Sequence, residues 1–455
     1  MDLIRICGQK PLKGHVKASG SKTVITKLLV ASLLSDKKCT FFNVPCTLDV
    51  INTLEMCERV GMRYEFDKAA GILEVQTQAL ETTYIPQRFS KANRIPILML
   101  GALLSRTDEE IIIPTLHHGL SEKASVNSHI NALRALGADI EYRKMRKEGA
   151  FFASSQHGLT GCSITLPYPS IGATENIILA AVAAKGPTII KNASIEPEVI
   201  ELILFLQKLG AIILIDCDRT IQIEGTRRFF EVEHTIITDR IEAANLGISA
   251  IATKGDIFVE GADHATMIPF LNKLREIGGG FTVKQNGIQF YYEKPLKSDL
   301  HLETDTYPGF MTDWQPGFCV LLTQAKGSSI VHETVYEKRF GYASQLASMG
   351  ADISLFKQCL GGRQCRFSES HHPHSIVIRG KTELSGAHLE ITNPAHSFAL
   401  LIAALVAKGE STLTGTHFVD RSYESLVQKL RSIDADIEHL HFEEDQECFV
   451  FQKKS

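Results

Sequence analysis

Residues 178–194 read ILAAVAAKGPTIIKNAS, and residues 206–215 read LQKLGAIILI. The first is a run of small and aliphatic residues at helical spacing, then a turn, then a β-rich stretch. The second is the end of a helix closed by an apolar-Gly-small triplet, with a strand after it. A glycine there suits the left-handed backbone at a helix C-terminus. Neither stretch is alone. The first kind recurs at 28–45, 97–114, 247–262, 320–335 and 401–417. The second recurs at 57–66, 133–142, 274–283, 346–355 and 430–439, with Asp434 replacing the glycine in the last. The two kinds alternate with a repeat of roughly 70–80 residues. The chain therefore reads as an α/β (α+β) protein of about six helix-strand-helix-strand units. Six units in 455 residues fit two pseudo-symmetric halves of three. No unit looks like a polar end cap, which argues against a solenoid.

The composition is that of an ordinary globular protein, 44% hydrophobic and 22% charged, with a formal net charge of −4. Nothing in it argues for nucleic-acid or membrane-surface binding. The opening MDLIRICGQKPLKG lacks an apolar core of signal-peptide length, and no apolar run approaches a membrane span. Ten cysteines are scattered, many in apolar segments such as those of Cys7, Cys162 and Cys319. That pattern fits reduced thiols in a cytoplasmic protein better than a disulfide framework.

Seven pieces occur in order: SGSKT (19–23), NRIP (93–96), PSIGATEN (169–176), TDRIEAAN (238–245), TDWQ (312–315), HETVYEKRF (332–340) and VDRSYE (419–424). With them the chain resembles, over essentially its whole length, the enolpyruvyl transferases, and among these the UDP-N-acetylglucosamine 1-carboxyvinyltransferases. The sister family of 3-phosphoshikimate 1-carboxyvinyltransferases shares the sixfold repeat, but its NAGTAxR signature is absent. The resemblance implies two inverse α/β barrels of three repeats each. One domain would span 22–237; the other would combine 1–21 with 238–455. The active site would lie in the cleft between them, with loop 114–124 as its lid. The implied reaction moves the enolpyruvyl group of phosphoenolpyruvate to the 3-hydroxyl of UDP-N-acetylglucosamine and releases phosphate. It serves peptidoglycan synthesis and needs no cofactor or metal. Both substrates are small molecules, and no nucleic acid or membrane is involved.

Phosphoenolpyruvate carries two anionic groups on three carbons, so its site needs several fixed cations. Adding a hydroxyl to its C2 needs a base, an acid near C3, and charge stabilisation for the tetrahedral intermediate. By resemblance, Lys22, Arg94, Arg339 and Arg421 match phosphoenolpyruvate-binding positions, and Lys22 also serves catalysis. Lys22 precedes an apolar helical run, where a helix N-terminus adds to anion binding. Asp313 matches the carboxylate that accepts the hydroxyl proton. Its neighbour Trp314, the only tryptophan, is expected to offer apolar surface that raises its pKa; a helix N-cap role for Thr312 or Asp313 is the plainer alternative. Thr23, Ser170, Ile171, Gly172, Asp313 and Val335 match UDP-sugar-binding positions, the 170–172 stretch through backbone N–H groups. Asp49 and Glu242 match positions at the cleft and hinge.

Some family positions carry other residues. The loop cysteine falls on Gly119 and a loop arginine on Ala124. The Asp-Leu-Arg segment reads Asn393-Pro394-Ala395, the asparagine after the first lysine is Thr23, and an aspartate near the uracil site is Asn127. His117, His118, Lys123 and His396 are candidate replacements, His118 as the catalytic acid. Each missing charge-assisted contact is worth about 1.5–3 kcal/mol. A diverged paralog that binds nucleotide sugar with little turnover, or a transferase with another nucleotide acceptor, are the competing readings. Finally, Cys359, Cys365, His371, His372 and His374 lie within CLGGRQCRFSESHHPH. Their spacing is looser than common zinc patterns, and the stretch reads as an exposed insertion without metal.

Overall fold

The computed structural model describes residues 2–115, 123–145, 148–362 and 365–441. Helices and strands alternate along them and form six small sheets. Five sheets share one pattern. In the sheet of Pro187–Lys191, that strand pairs in parallel with Ser163–Thr165 on one side. On the other side it pairs antiparallel with Ile221–Glu224, which pairs in turn with Ile212–Ile215. The sheets centred on Cys39–Phe42, Asp256–Glu260, Gly327–His332 and Glu410–Thr414 repeat this order. The sixth has three strands, Ile111–Pro114, Glu148–Ser154 and Asp139–Met145. There a single parallel bridge from Tyr84 to Ile112 stands where the others have a strand.

The parallel partners close the units into two groups. Val232–Thr235 returns to pair with Cys39–Phe42. Lys13–Lys17 pairs with Asp256–Glu260, and Asp2–Cys7 sits between Glu410–Thr414 and Asp436–His441. Buried apolar residues accordingly form two clusters. One runs from Val24 to Ile236; the other joins Ile4–Ala18 to Ala243–Ile437. The chain passes between them near Gly20 and Thr238, which form an isolated antiparallel bridge.

Small residues explain the centre of each group. Ile171–Ala181, Arg240–Ala252 and Pro394–Val406 are buried on nearly every face, as a helix apolar all round must be. Arg240–Ala252, Gln315–Thr323 and Pro394–Val406 pack on one another in the second group. In the first, Lys22–Ser32, Met99–Leu103 and Ile171–Ala181 are the central helices. The outer helices end at the triplets. Gly210 caps Pro197–Leu209 with φ 122°, and a Cβ there would stand 2.6 Å from the Arg228 carbonyl oxygen. The matching position in every other unit also has positive φ, including Asp434 at 75°. Among the described residues no helix is long and apolar enough to cross a membrane.

Candidate active site

Lys22 opens the central helix Lys22–Ser32 of the first group, and Asp49 lies in the first turn of the outer helix Leu48–Val60. Arg421 comes from the second group, on the short helix His417–Ser422. The structure brings the three together. Lys22 Nζ lies 3.1 Å from Asp49 Oδ2, 3.1 Å from Ser422 Oγ and 3.4 Å from the Arg421 carbonyl oxygen. Arg421 Nε donates to Asp49 Oδ1 at 2.9 Å. One carboxylate thus bridges two cations from the two halves of the molecule. The cluster keeps a net positive charge at a helix N-terminus, which favours an incoming anion. Thr23 shares a 2.9 Å hydrogen bond with Ser21 beside it.

Close by, Glu242 Oε2 accepts from the Ser19 backbone N–H at 2.8 Å, and its Oε1 pairs with Lys429 at 2.5 Å. Glu424 accepts from the Cys46 N–H at 2.8 Å and from Ser19 Oγ at 3.1 Å. These bonds surround the point where the chain passes between the groups, so Glu242 sits at the crossover rather than among the cations.

Asp313, Arg339 and Arg94 form a second arrangement, built on the loop after strand Gly327–His332. Glu333 organises that loop. Its Oε1 accepts from the Val335 and Tyr336 N–H groups at 2.8 Å each and from the Thr304 hydroxyl at 2.9 Å; Oε2 accepts from the Thr312 hydroxyl at 2.9 Å. Burial pushes the Glu333 carboxyl above the ordinary range, opposed by Arg339 and these donors. The loop then presents Tyr336, whose ring has the Arg339 guanidinium 5.0 Å and the Arg94 guanidinium 5.5 Å from its centroid. Arg94 also donates to the Tyr336 hydroxyl at 2.9 Å. Arg94 therefore reaches across from the first group to Tyr336 of the second.

Arg339 is buried and donates to Asp313 Oδ1 and, at 3.2 Å, to the Thr312 carbonyl. The apolar surface expected from Trp314 beside Asp313 is not there. Trp314 points into the core against Phe270 and Phe310, and its Nε1 donates to the Arg240 carbonyl at 3.2 Å. Asp313 is 34% exposed and faces a guanidinium, not an indole. The N-cap alternative also fails, because helix Gln315–Thr323 begins at Trp314 with no side-chain cap. His396 is no replacement cation either. Burial, then Arg339, push its pKa down to about 4, and its ring packs 5.3 Å from Tyr342. Asn393, in the Asp-Leu-Arg position, caps helix Pro394–Val406 by accepting from the Ala395 N–H at 2.9 Å.

Ser170, Ile171 and Gly172 open the central helix Ile171–Ala181, and Ser170 caps it by accepting from the Ala173 N–H at 3.4 Å. A Cβ on Gly172 would stand 3.1 Å from His129 Cε1, so a larger residue would crowd this N-terminus. His129 itself is held neutral, its pKa lowered to about 4 by burial and by Arg94. Val335 has its N–H on Glu333, and its carbonyl accepts from Arg366. Asn127 is exposed on helix Lys123–Ala135. His117, His118 and Gly119 lie outside the described residues, as do the side chains of Lys123 and Ala124.

Sequence reasoning missed Glu333, Tyr336 and Ser422. A signal for Glu333 existed: a carboxylate two and three residues before backbone donors mimics a turn-capping side chain. Tyr336 and Ser422 carried none beyond lying within the matched pieces HETVYEKRF and VDRSYE.

The family model for EPSP synthase (3-phosphoshikimate 1-carboxyvinyltransferase) matches residues 6–430. The chain is 60% identical to the UDP-N-acetylglucosamine 1-carboxyvinyltransferase of Protochlamydia amoebophila over 96% of this chain and 94% of that one. It is 48% identical to the protein of that name in Chlamydia muridarum (95% and 98%). It is 36% identical to UDP-N-acetylglucosamine 1-carboxyvinyltransferase 1 of Staphylococcus aureus (97% and 100%). In fold it is similar to the enolpyruvyl transferase NikO of Streptomyces tendae, with TM-score 0.84 at 22% identity over 96% and 98% of the two chains. EPSP synthase of Acinetobacter baumannii gives 0.76 at 18% over 97% and 100%. The whole-chain extent and the identity of these matches assign the chain to the enolpyruvyl transferase family, in its UDP-N-acetylglucosamine 1-carboxyvinyltransferase branch.

Proposed function

We propose that the protein transfers the enolpyruvyl group of phosphoenolpyruvate to the 3-hydroxyl of UDP-N-acetylglucosamine, with release of phosphate, as a step of peptidoglycan precursor synthesis. The observation that carries this reading is the Lys22–Asp49–Arg421 cluster, contributed by both groups. The relatives' names support the choice of acceptor. In this reading residues 22–237 form one domain, 1–21 with 238–455 form the other, and the substrates lie between them. The setting in this reading is the cytoplasm.

Lys22 and Arg421 hold the phosphate, which displaces part of their hold on Asp49. Arg339 serves the substrate carboxylate and orients Asp313, whose partly exposed carboxylate takes the proton of the acceptor hydroxyl. Oxygen bonds to C2 while C3 gains a proton, His118 being our candidate donor. The C2–O bond to the phosphate then breaks, phosphate leaves with the bonding electrons, and loss of a C3 proton to a base restores the double bond. Backbone N–H groups at the Ile171–Ala181 N-terminus, with Ser170, Ile171 and Gly172, take the diphosphate; Thr23 and Val335 flank the sugar nucleotide, and Arg94 positions Tyr336. With Ala124 and Ala395 contributing no charge, Lys22 carries a larger share of the anion's stabilisation. Its loss should lower kcat/KM roughly 10- to 150-fold, the equivalent of one charge-assisted contact of about 1.5–3 kcal/mol. Phosphate release with both substrates present tests the reading. Turnover no faster than that of Lys22→Ala would sink it, and calorimetry showing UDP-sugar binding alone would then favour a diverged binding protein.

A further inference from the structure

The stretch read as an exposed, metal-free insertion is neither simple nor self-contained. Cys359 and Cys365 lie in the long connection from strand Asp352–Phe356 to strand Ser375–Gly380, and His374 immediately precedes the second strand. His332 ends the neighbouring strand Gly327–His332, in register with Ser375. One ligand atom from each of His332, Cys359, Cys365 and His374 lies within 4.8 Å of all the others. The two sulfurs are 3.6 Å apart, and Cys359 Sγ is 3.4 Å from His374 Nε2. Four ligands on a tetrahedral zinc, with Zn–S about 2.3 Å and Zn–N about 2.0–2.1 Å, have S–S and S–N edges of about 3.8 and 3.5 Å. A disulfide needs sulfurs at about 2.05 Å, and both cysteines are free thiols.

The imidazoles give an independent indication. His332 is fully buried, yet among the described residues neither of its ring nitrogens has a hydrogen-bond partner within 3.5 Å. An imidazole in that condition lacks the pairing that buried polar groups nearly always have. Its Nδ1 stands 3.6 Å from Glu303 Oε1, a carboxylate placed to orient the ring of a metal ligand. His374 is also buried, and its Nδ1 lies 3.3 Å from the His372 carbonyl. A proton on Nδ1 for that bond leaves the Nε2 lone pair directed at Cys359.

We propose that His332, Cys359, Cys365 and His374 form a closed structural site for one zinc ion. Two thiolates balance its charge, and four protein ligands leave no open position for substrate, the pattern of structural rather than catalytic zinc. The ion fastens the connection to the end of the strand that continues into the Glu333–Arg339 loop. From that connection Arg366 lies 4.0 Å over the Tyr168 ring and donates to the Val335 carbonyl, and His372 pairs with Glu337 at 3.4 Å. The site thereby positions a bridge between the Ser170 loop and the Val335 loop.

Metal analysis of the untagged, full-length protein after gel filtration should find a single zinc per chain, absent from a Cys359→Ser/Cys365→Ser variant. Should that variant not fold, the wild-type protein decides alone. Stripped with chelator and given Co(II), it should show intense visible absorption of tetrahedral cobalt and a thiolate-to-cobalt charge-transfer band. Wild-type protein without zinc, a weak octahedral cobalt spectrum, or a Cys359–Cys365 disulfide in unreduced peptide maps would each overturn the site. None of these readouts needs turnover, so this inference and the proposed reaction fail separately.

Discussion

Asp49 illustrates what a single residue does at this site. It holds Lys22 and Arg421 together across two halves of the molecule, and in the proposed reading it occupies the donors that phosphate would use. The sign of its contribution to anion binding is therefore unfavourable. Asp49→Asn keeps the shape but removes the competing charge, and inorganic phosphate should bind roughly tenfold more tightly, about 1.4 kcal/mol. Calorimetric titration of the free protein checks this; weaker phosphate binding would show that Asp49 orients the cations instead of masking them. The lysine and the arginine were legible as motif positions. Asp49 was legible as a position at the cleft, but not as their shared partner, because nothing local to residue 49 says that residue 421 is its neighbour.

Among the elements, the outer helices test the repeat most directly. Each must reverse into its strand through a residue with left-handed backbone, and the chain uses glycine wherever the triplet keeps its form. Gly210 at φ 122° has no room for a Cβ beside the Arg228 carbonyl. Gly210→Ala should cost about 1–3 kcal/mol. Asp434 at φ 75° carries a side chain in the same role, and Asp434→Gly should stabilise by about 0.5–1 kcal/mol. Urea midpoints of the two variants should move in opposite directions. The repeat was readable because a helix end is a local event. The insertion at 357–374 was not, since the histidine that completes its cluster, His332, lies on another strand.

For the whole molecule, what matters is how the two groups are joined. Arg240, at the start of a central helix of the second group, makes bonds of 2.8–2.9 Å to Glu196 and Glu198 of the first. All three side chains are more than nine-tenths buried. Removing one partner of such an arrangement leaves buried charge uncompensated, and Arg240→Met should lower stability by about 3–5 kcal/mol. Burial already holds the Glu196 carboxyl above its ordinary value, with Arg240 the largest opposing influence. Without Arg240 that carboxyl rises further. A folded-state pKa above the unfolded one means that the folded protein binds the proton more tightly, so stability is gained as pH falls through the folded value toward the unfolded one. The deficit of the variant should thus be largest at neutral pH and shrink on acidification, as chemical denaturation at several pH values would reveal. An equal deficit at every pH would mean that Glu196 stays ionised.

The pattern of small-residue helices, glycine-closed helices and half-buried strands carries on its own the sixfold unit and its fit to two groups of three, and the short pieces from SGSKT to VDRSYE carry the resemblance to the family. Each of those features depends on residues within a turn or a strand of one another, where periodicity is written directly into the chain. The pairing of Lys22 with Arg421 through Asp49, the turning of Trp314 away from Asp313, the neutral burial of His396 and the meeting of His332 with Cys359, Cys365 and His374 all came from packing. Such contacts join residues tens to hundreds of positions apart. They depend on which faces the closed groups present to each other, and no local spacing encodes that.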